Sequence, residues 1–242
     1  MWKSRLDGRT LHFHLAGINN QNFIMRDEET GSWWQQVTGC AILGPLSGRC
    51  LEQITWDEVT FDLFRREYPD ARVLLPALDL KENYAGADWE NEIAELPTVT
   101  PVDPRDVLKP RDLVVGITSD GSAKAYPWVN LRPAFPIVDT VGGTPLLILL
   151  NTDGRSMRCF DRRLEGRTLQ RFSGTQTCPP VVHDDDTGST WDFGGLATAG
   201  PLAGARLARL ICLKDYWFDW KTYNPRTAVF AADGAGQSPK GD

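Results

Sequence analysis

Apolar and polar positions alternate with period two along much of the chain, the pattern of strands with one face buried. The first stretch is Gly8-Arg9-Thr10-Leu11-His12-Phe13-His14-Leu15, read as a strand with a wet face. Asn19-Asn20 is a turn. Asn22 to Arg26 and Trp33 to Val37 predict a hairpin around Asp27-Glu28-Glu29-Thr30-Gly31, where Gly31 tolerates positive φ and Asp27 can cap the turn. Gly39 to Leu43 is a further strand, Gly44-Pro45-Leu46-Ser47-Gly48 reverses the chain, and Arg49 to Ile54 is again extended.

The period then changes. Thr55-Trp56-Asp57-Glu58 matches a capping box, and Val59, Phe61, Leu63 and Phe64 supply the inner face of a short helix. Tyr68-Pro69 stops that helix, because a residue before proline avoids helical angles. Arg72 to Leu75 is expected as a closing strand. Residues 80–112 are polar and rich in proline, so they read as a connector onto which Trp89 and Ile93 dock. Leu113 to Thr118 and Ala123 to Trp128 predict a second hairpin around Ser119-Asp120-Gly121. Thr144 to Leu150 and Arg158 to Asp161 are strands around Asp153-Gly154. Pro145 to Leu150 is the longest apolar run, which suits a strand buried on both faces and is far too short to span a membrane.

A long internal similarity sits on top of these periods. Asp27 to Trp34, running on to Gly44-Pro45-Leu46-Ser47-Gly48, matches Asp184 to Trp191, running on to Gly200-Pro201-Leu202-Ala203-Gly204. Gly39 and Gly195, Leu51 and Leu207, and Pro69 and Pro225 all stand 156 positions apart. Phe61-x-x-Phe64 falls on Trp217-x-x-Trp220, and Gly8-Arg9-Thr10-Leu11 recurs as Gly166-Arg167-Thr168-Leu169. Matched glycines, prolines and aromatics over such a length argue for a tandem copy. The paired aromatics, with Trp34 and Trp191, are read as core rather than as a ligand-binding ring. Trp33 has Thr190 in its matching place and is the candidate for a contact surface if exposed.

Composition narrows the function classes. The 242 residues are 41% hydrophobic and 24% charged, ordinary for a globular chain able to bury a core. A net charge of -6 without a Lys/Arg cluster argues against nucleic acid and against an anionic membrane surface. The first residues lack the apolar core of a secretory signal, so a cytoplasmic protein is expected, or an exported one if the natural start lies upstream. Cys40, Cys50, Cys159, Cys178 and Cys212 form no C-x-x-C pair. They are read mostly as buried thiols, with one bridge allowed in an exported protein.

Few constellations carry chemistry. His183-Asp184-Asp185-Asp186 is the densest set of metal-type ligands, and Asp184, Asp186 and Gly188 faintly resemble a calcium loop. A charged, solvated hairpin tip explains it as well, since Arg26-Asp27-Glu28-Glu29 occupies the matching loop. His12 and His14 share a strand face but lack an identifiable third ligand. Asp139 and Asp161 are structural carboxylates at strand ends, and no phosphate-loop, dinucleotide or nucleophile-elbow motif is present.

The motif set T-G-S-x-W, G-P-L-x-G and an aromatic helix ending before proline resembles the bacterial and archaeal family labelled domain of unknown function 3179. Lys124-Ala125-Tyr126-Pro127 and Asp139-Thr140-Val141-Gly142-Gly143 are similar to that family's "A-Y-P … N-D-T-x-G-G". The resemblance covers most of the chain. Family members usually carry C-P-x-C-G after the strand that follows; here Asn151-Thr152-Asp153-Gly154-Arg155 stands there, and the family's His-Glu pair falls on Ala134-Phe135. Trp2 aligns with Phe160, so the first copy starts inside its own repeat.

The expected fold is mainly β, with two tandem related barrel- or sandwich-like lobes and one short helix in each. Residues 1–80 form the shortened first repeat, 81–112 the connector, 113–232 the second repeat and 233–242 a flexible tail. The function expected is a non-catalytic binding or structural module, with no identifiable cofactor. The alternatives are a metal-dependent or redox enzyme whose active residues lie upstream of Met1, and a small-ligand or glycan binder. Protein or small-ligand contacts are the partners allowed.

Overall fold

A computed structural model of the chain describes residues 1–19, 22–75, 79, 84–86, 88–98, 101 and 103–232. Part of the expected Asn19-Asn20 turn and the tail from Asp233 lie outside the described residues. The chain is mainly β, 39% strand and 12% helix, and its several sheets do not close into a barrel. It separates into two compact units, one built on Met1–Trp56 and the other starting at Asp57.

The first unit opens with a two-residue ribbon, β1 (Arg5–Leu6) and β2 (Arg9–Thr10). An antiparallel meander follows in chain order: β3 (Phe13–Asn19), β4 (Asn22–Asp27), β5 (Trp33–Gln35) and β6 (Ala41–Leu43). The strand expected over Gly8–Leu15 is thus broken, because Leu11 turns inward and is buried. Leu11, Trp34, Ala41 and Leu51 form the core, with Trp2, Leu6, Phe13, Met25 and Leu46 packed against them. Cys40 and Cys50 face each other across an antiparallel bridge and are joined by a disulfide.

The second unit begins with α1 (Phe61–Glu67) and α2 (Trp89–Glu95). Next come β7 (Leu113–Ser119), β8 (Ser122–Pro127), the short α3 (Trp128–Leu131), β9 (Ile137–Val141), β10 (Thr144–Leu150) and β11 (Met157–Asp161). A ribbon, β12 (Arg163–Leu164) and β13 (Arg167–Thr168), leads to a second meander: β14 (Phe172–Thr175), β15 (Val181–Asp184), β16 (Thr190–Trp191) and β17 (Ala197–Ala199). β18 (Arg209–Leu210), β19 (Leu213–Tyr216), α4 (Trp217–Tyr223) and β20 (Ala228–Val229) complete it.

Layers follow from the apolar pattern. Every residue of β10 is buried, so both faces of the sheet β18-β11-β10-β9 must be covered. On one face Leu147, Leu149 and Phe160 meet Trp191, Val182 and Leu202 of the second meander region, with Leu63 of α1. On the other, Leu146, Ile148 and Cys159 meet Val115, Ile117 and Tyr126 of the sheet β19-β7-β8-β20. The far side of that sheet carries α4, where Trp217 and Trp220 pack on Val114 and Ala125. Gly116 makes this approach feasible: a Cβ there would lie 2.2 Å from the Trp220 ring.

Three expectations are corrected. Thr60, not Thr55, caps α1 by accepting from the Leu63 amide. The capping-box acids are engaged elsewhere: Asp57 pairs with Arg158 and Arg209, and Glu58 with Lys214. The aromatic pair Phe61 and Phe64 is not core, since Phe61 is 58% exposed and Leu63 is the buried residue of α1. Arg72 to Leu75 forms no strand, and Leu74 is 96% exposed.

Candidate functional site

The second unit holds a cavity of about 460 Å³. β19 supplies Lys214, Asp215 and Tyr216; α2 supplies Trp89, Glu90, Asn91, Ile93 and Ala94; Glu58, Arg111, Leu113, Trp128, Gly154 and Arg155 complete the wall. The strand-to-helix junction explains the geometry. Tyr216 is extended at the N-cap of α4 and offers no side-chain cap. The first α4 amides donate instead to backbone: Trp217 N to Asp112 O at 2.9 Å and Phe218 N to Pro110 O at 3.0 Å. Arg111, between those two carbonyls, is thereby laid over the Tyr216 and Phe218 rings, 5.0 and 4.9 Å from their centroids.

Charged groups cross the cavity in a chain. Lys214 Nζ lies 3.2 Å from Glu58, 3.9 Å from Glu90 and 5.4 Å from the Trp128 ring centre. Arg155 lies 3.4 Å from Glu90. Below it, Asp215 is hydrogen-bonded to Asp219, which is buried in the first turn of α4. Two carboxyl groups can hydrogen-bond only if one keeps a proton. Burial first, and then the negative charge of Asp219, pushes the Asp215 carboxyl up to about 8. The arrangement can hold and release a proton beside an aromatic wall.

The residues singled out from sequence lie elsewhere. Asp184 is fully buried and accepts from Thr187 N at 2.6 Å, Thr187 Oγ1 at 2.9 Å and Trp191 Nε1 at 2.8 Å. Asp186 accepts from the amides of Gln170 and Arg171, and His183 Nδ1 lies 3.1 Å from Thr190 Oγ1. His12 Nδ1 lies 2.5 Å from Glu29, whose hydrogen bond and charge raise the imidazole pKa; His14, opposite Arg26, is exposed. Among the described residues no group of three His, Cys, Asp or Glu side chains could hold a metal ion. Trp33 is half-buried, across the sheet from Arg26 and Leu43. Only Cys159 is a buried thiol, against the expectation for the cysteines: Cys178 is exposed, Cys212 intermediate, and Cys40 and Cys50 are bridged.

The two halves of the A-Y-P and D-T-x-G-G motif do meet. The Tyr126 hydroxyl donates to Asp139 at 2.9 Å, and Lys124 Nζ lies 2.6 Å from the same carboxylate. Burial, with the Asp139 charge, drives the Tyr126 pKa far up, so the phenol stays a donor. This latch ties β8 to β9. Trp89 and Ile93, expected to dock, line the cavity from α2 without being buried, and Trp89 is 46% exposed. Arg111, Trp128, Lys214, Asp215 and Asp219 were missed, although two acids four apart at a strand-to-helix junction in Lys214-Asp215-Tyr216-Trp217-Phe218-Asp219 were a usable signal.

Layered sheets and a walled cavity define a mainly β protein with a small-molecule-sized recess. The chain belongs to the family described as Protein of unknown function (DUF3179), whose model matches residues 1–227. Neither the curated proteins nor the solved structures contain a match to it. Among the described residues no helix is long and apolar enough to cross a membrane.

Proposed function

We propose that this protein is a non-catalytic binding module that takes a small organic ligand in the cavity beside β19. The observation that carries the reading is the recess itself. Its volume of about 460 Å³ falls within the roughly 300–1,000 Å³ of small-molecule sites, and aromatic walls with a few placed charges are their usual chemistry. The absence of the family-type Cys and His-Glu residues from their places at Asn151–Arg155 and Ala134-Phe135 supports a binding role over a reactive one.

The frame is proposed to be a tandem copy, residues 1–80 and 113–232 about a connector at 81–112. Two knots support this. Asp27 accepts from Thr30 N at 2.6 Å and Trp34 Nε1 at 2.7 Å, as Asp184 does from Thr187 and Trp191. Ser32 Oγ accepts from Leu46 N and Ser189 Oγ from Leu202 N, each at 3.0 Å. The Cys40–Cys50 bridge favours an oxidising compartment.

The test is tryptophan fluorescence over a panel of sugars, amino acids and aromatic acids, on the wild type and on Trp128→Ala. A saturable response lost in the variant is expected. No response across the panel sinks the binding reading, and turnover that vanishes with one polar substitution sinks its non-catalytic part.

A further inference from the structure

Arg111 differs from the other cations of the cavity. Lys214 and Arg155 are both neutralised by carboxylates, Glu58 and Glu90. Arg111 has no ion pair among the described residues. Its Nε donates to Leu96 O at 3.1 Å and its Nη2 to Pro97 O at 3.3 Å, while Nη1 has no hydrogen-bond partner among them. Two ring faces and two backbone carbonyls hold the guanidinium flat at the cavity wall.

A fixed guanidinium loses little rotamer freedom when it binds, and its planar fork matches a carboxylate better than a point charge does. The apolar and aromatic part of the cavity wall is Trp89, Ile93, Leu113 and Trp128. We propose that the cavity takes a small organic acid, its carboxylate on Arg111 and its flat or apolar body against Trp89 and Trp128. This deepens the small-ligand reading above and rests on it. The Glu58–Lys214–Glu90–Arg155 chain contributes no net charge, and Asp215 in the wall keeps its proton above buried Asp219, so at its own end of the cavity Arg111 is the cation without an ion pair among the described residues and sets the sign of the ligand.

The experiment titrates the full chain with benzoate, benzyl alcohol, benzylammonium and inorganic phosphate, reading tryptophan fluorescence and the thermal midpoint. Benzoate is expected to bind at least about tenfold more tightly than each of the other three. Arg111→Met should remove that preference, and Arg111→Lys, which keeps the charge without the fork, should retain part of it. Unliganded melting of both variants checks that they fold; if Arg111→Met does not, Arg111→Lys alone decides, and an unchanged preference there overturns the guanidinium assignment. Benzyl alcohol or benzylammonium binding as tightly as benzoate overturns the acid class while leaving the cavity reading intact. Phosphate binding as tightly as benzoate removes the role of the aromatic wall. No response to any probe overturns both readings.

Discussion

Single carboxylates explain much of what this chain does with its charge. Asp27 is buried, which by itself raises a carboxyl pKa, yet donors on Trp34, Thr30 and Ser32 outweigh that and hold it below the ordinary value. Truncating Asp27 or Asp184 strands a buried indole N–H and a turn amide, so Asp27→Ala and Asp184→Ala should each cost about 3 kcal/mol in denaturant unfolding. Asp215 goes the other way. A carboxyl whose pKa is higher folded than unfolded holds its proton more tightly in the folded chain. Its stabilising contribution is complete below the model-compound value of 3.8 and is lost as pH rises through about 8. Asp219 and Glu58 are the acids that raise it. Asp215→Asn should therefore flatten the fall in thermal midpoint between about pH 5 and 8; an unchanged slope would mean the carboxyl pair does not share a proton. The turn cap of Asp27 was legible in the loop, but its bond to Trp34 across 7 residues was not, and for Asp215 and Asp219 the sequence offered only their spacing, because such contacts depend on a backbone path that composition does not specify.

At the scale of elements, legibility followed burial. The apolar run Pro145 to Leu150 announced a strand covered on both faces, and β10 is one. The loop Asp27 to Gly31 announced its hairpin, and Gly31 has φ +70°. α1 was misread because Asp57 and Glu58, which look like capping residues, serve partners about a hundred or more positions away that local pattern cannot reveal. Arg158 is buried and forks onto Glu67 while its Nε reaches Asp57. Removing both acids leaves that charge uncompensated, so Asp57→Ala/Glu67→Ala should lower stability by roughly 3 kcal/mol and free α1. Gly116→Ala, pressed against Trp220, should displace α4 and blue- or red-shift its tryptophan emission. α2 is the opposite kind of element. It buries no residue fully, and its Asp88 N-cap makes no side-chain hydrogen bond. Its amides should exchange with solvent much faster than those of β10, and slow when the cavity is filled.

For the molecule as a whole, layering decides where function can sit. In the second unit the sheet β18-β11-β10-β9 is covered on both faces, and the recess lies instead at the edge strand β19, with α2 in its wall. Sequence patterning revealed the stacked strands because burial writes itself in apolar runs. The recess stayed hidden because its wall draws on six separate stretches of the chain, each too short to show a period. The disulfide has a consequence of its own. Cys40 and Cys50 close a segment of 10 residues inside the smaller unit, whose core rests on few side chains. Such a clasp restricts the unfolded chain, worth about 2–3 kcal/mol for a short loop. A mild reductant should therefore expose peptide bonds before Trp56 to protease while the fragment beginning near Asp57 survives, so the chain would register the redox state of its surroundings at one end only.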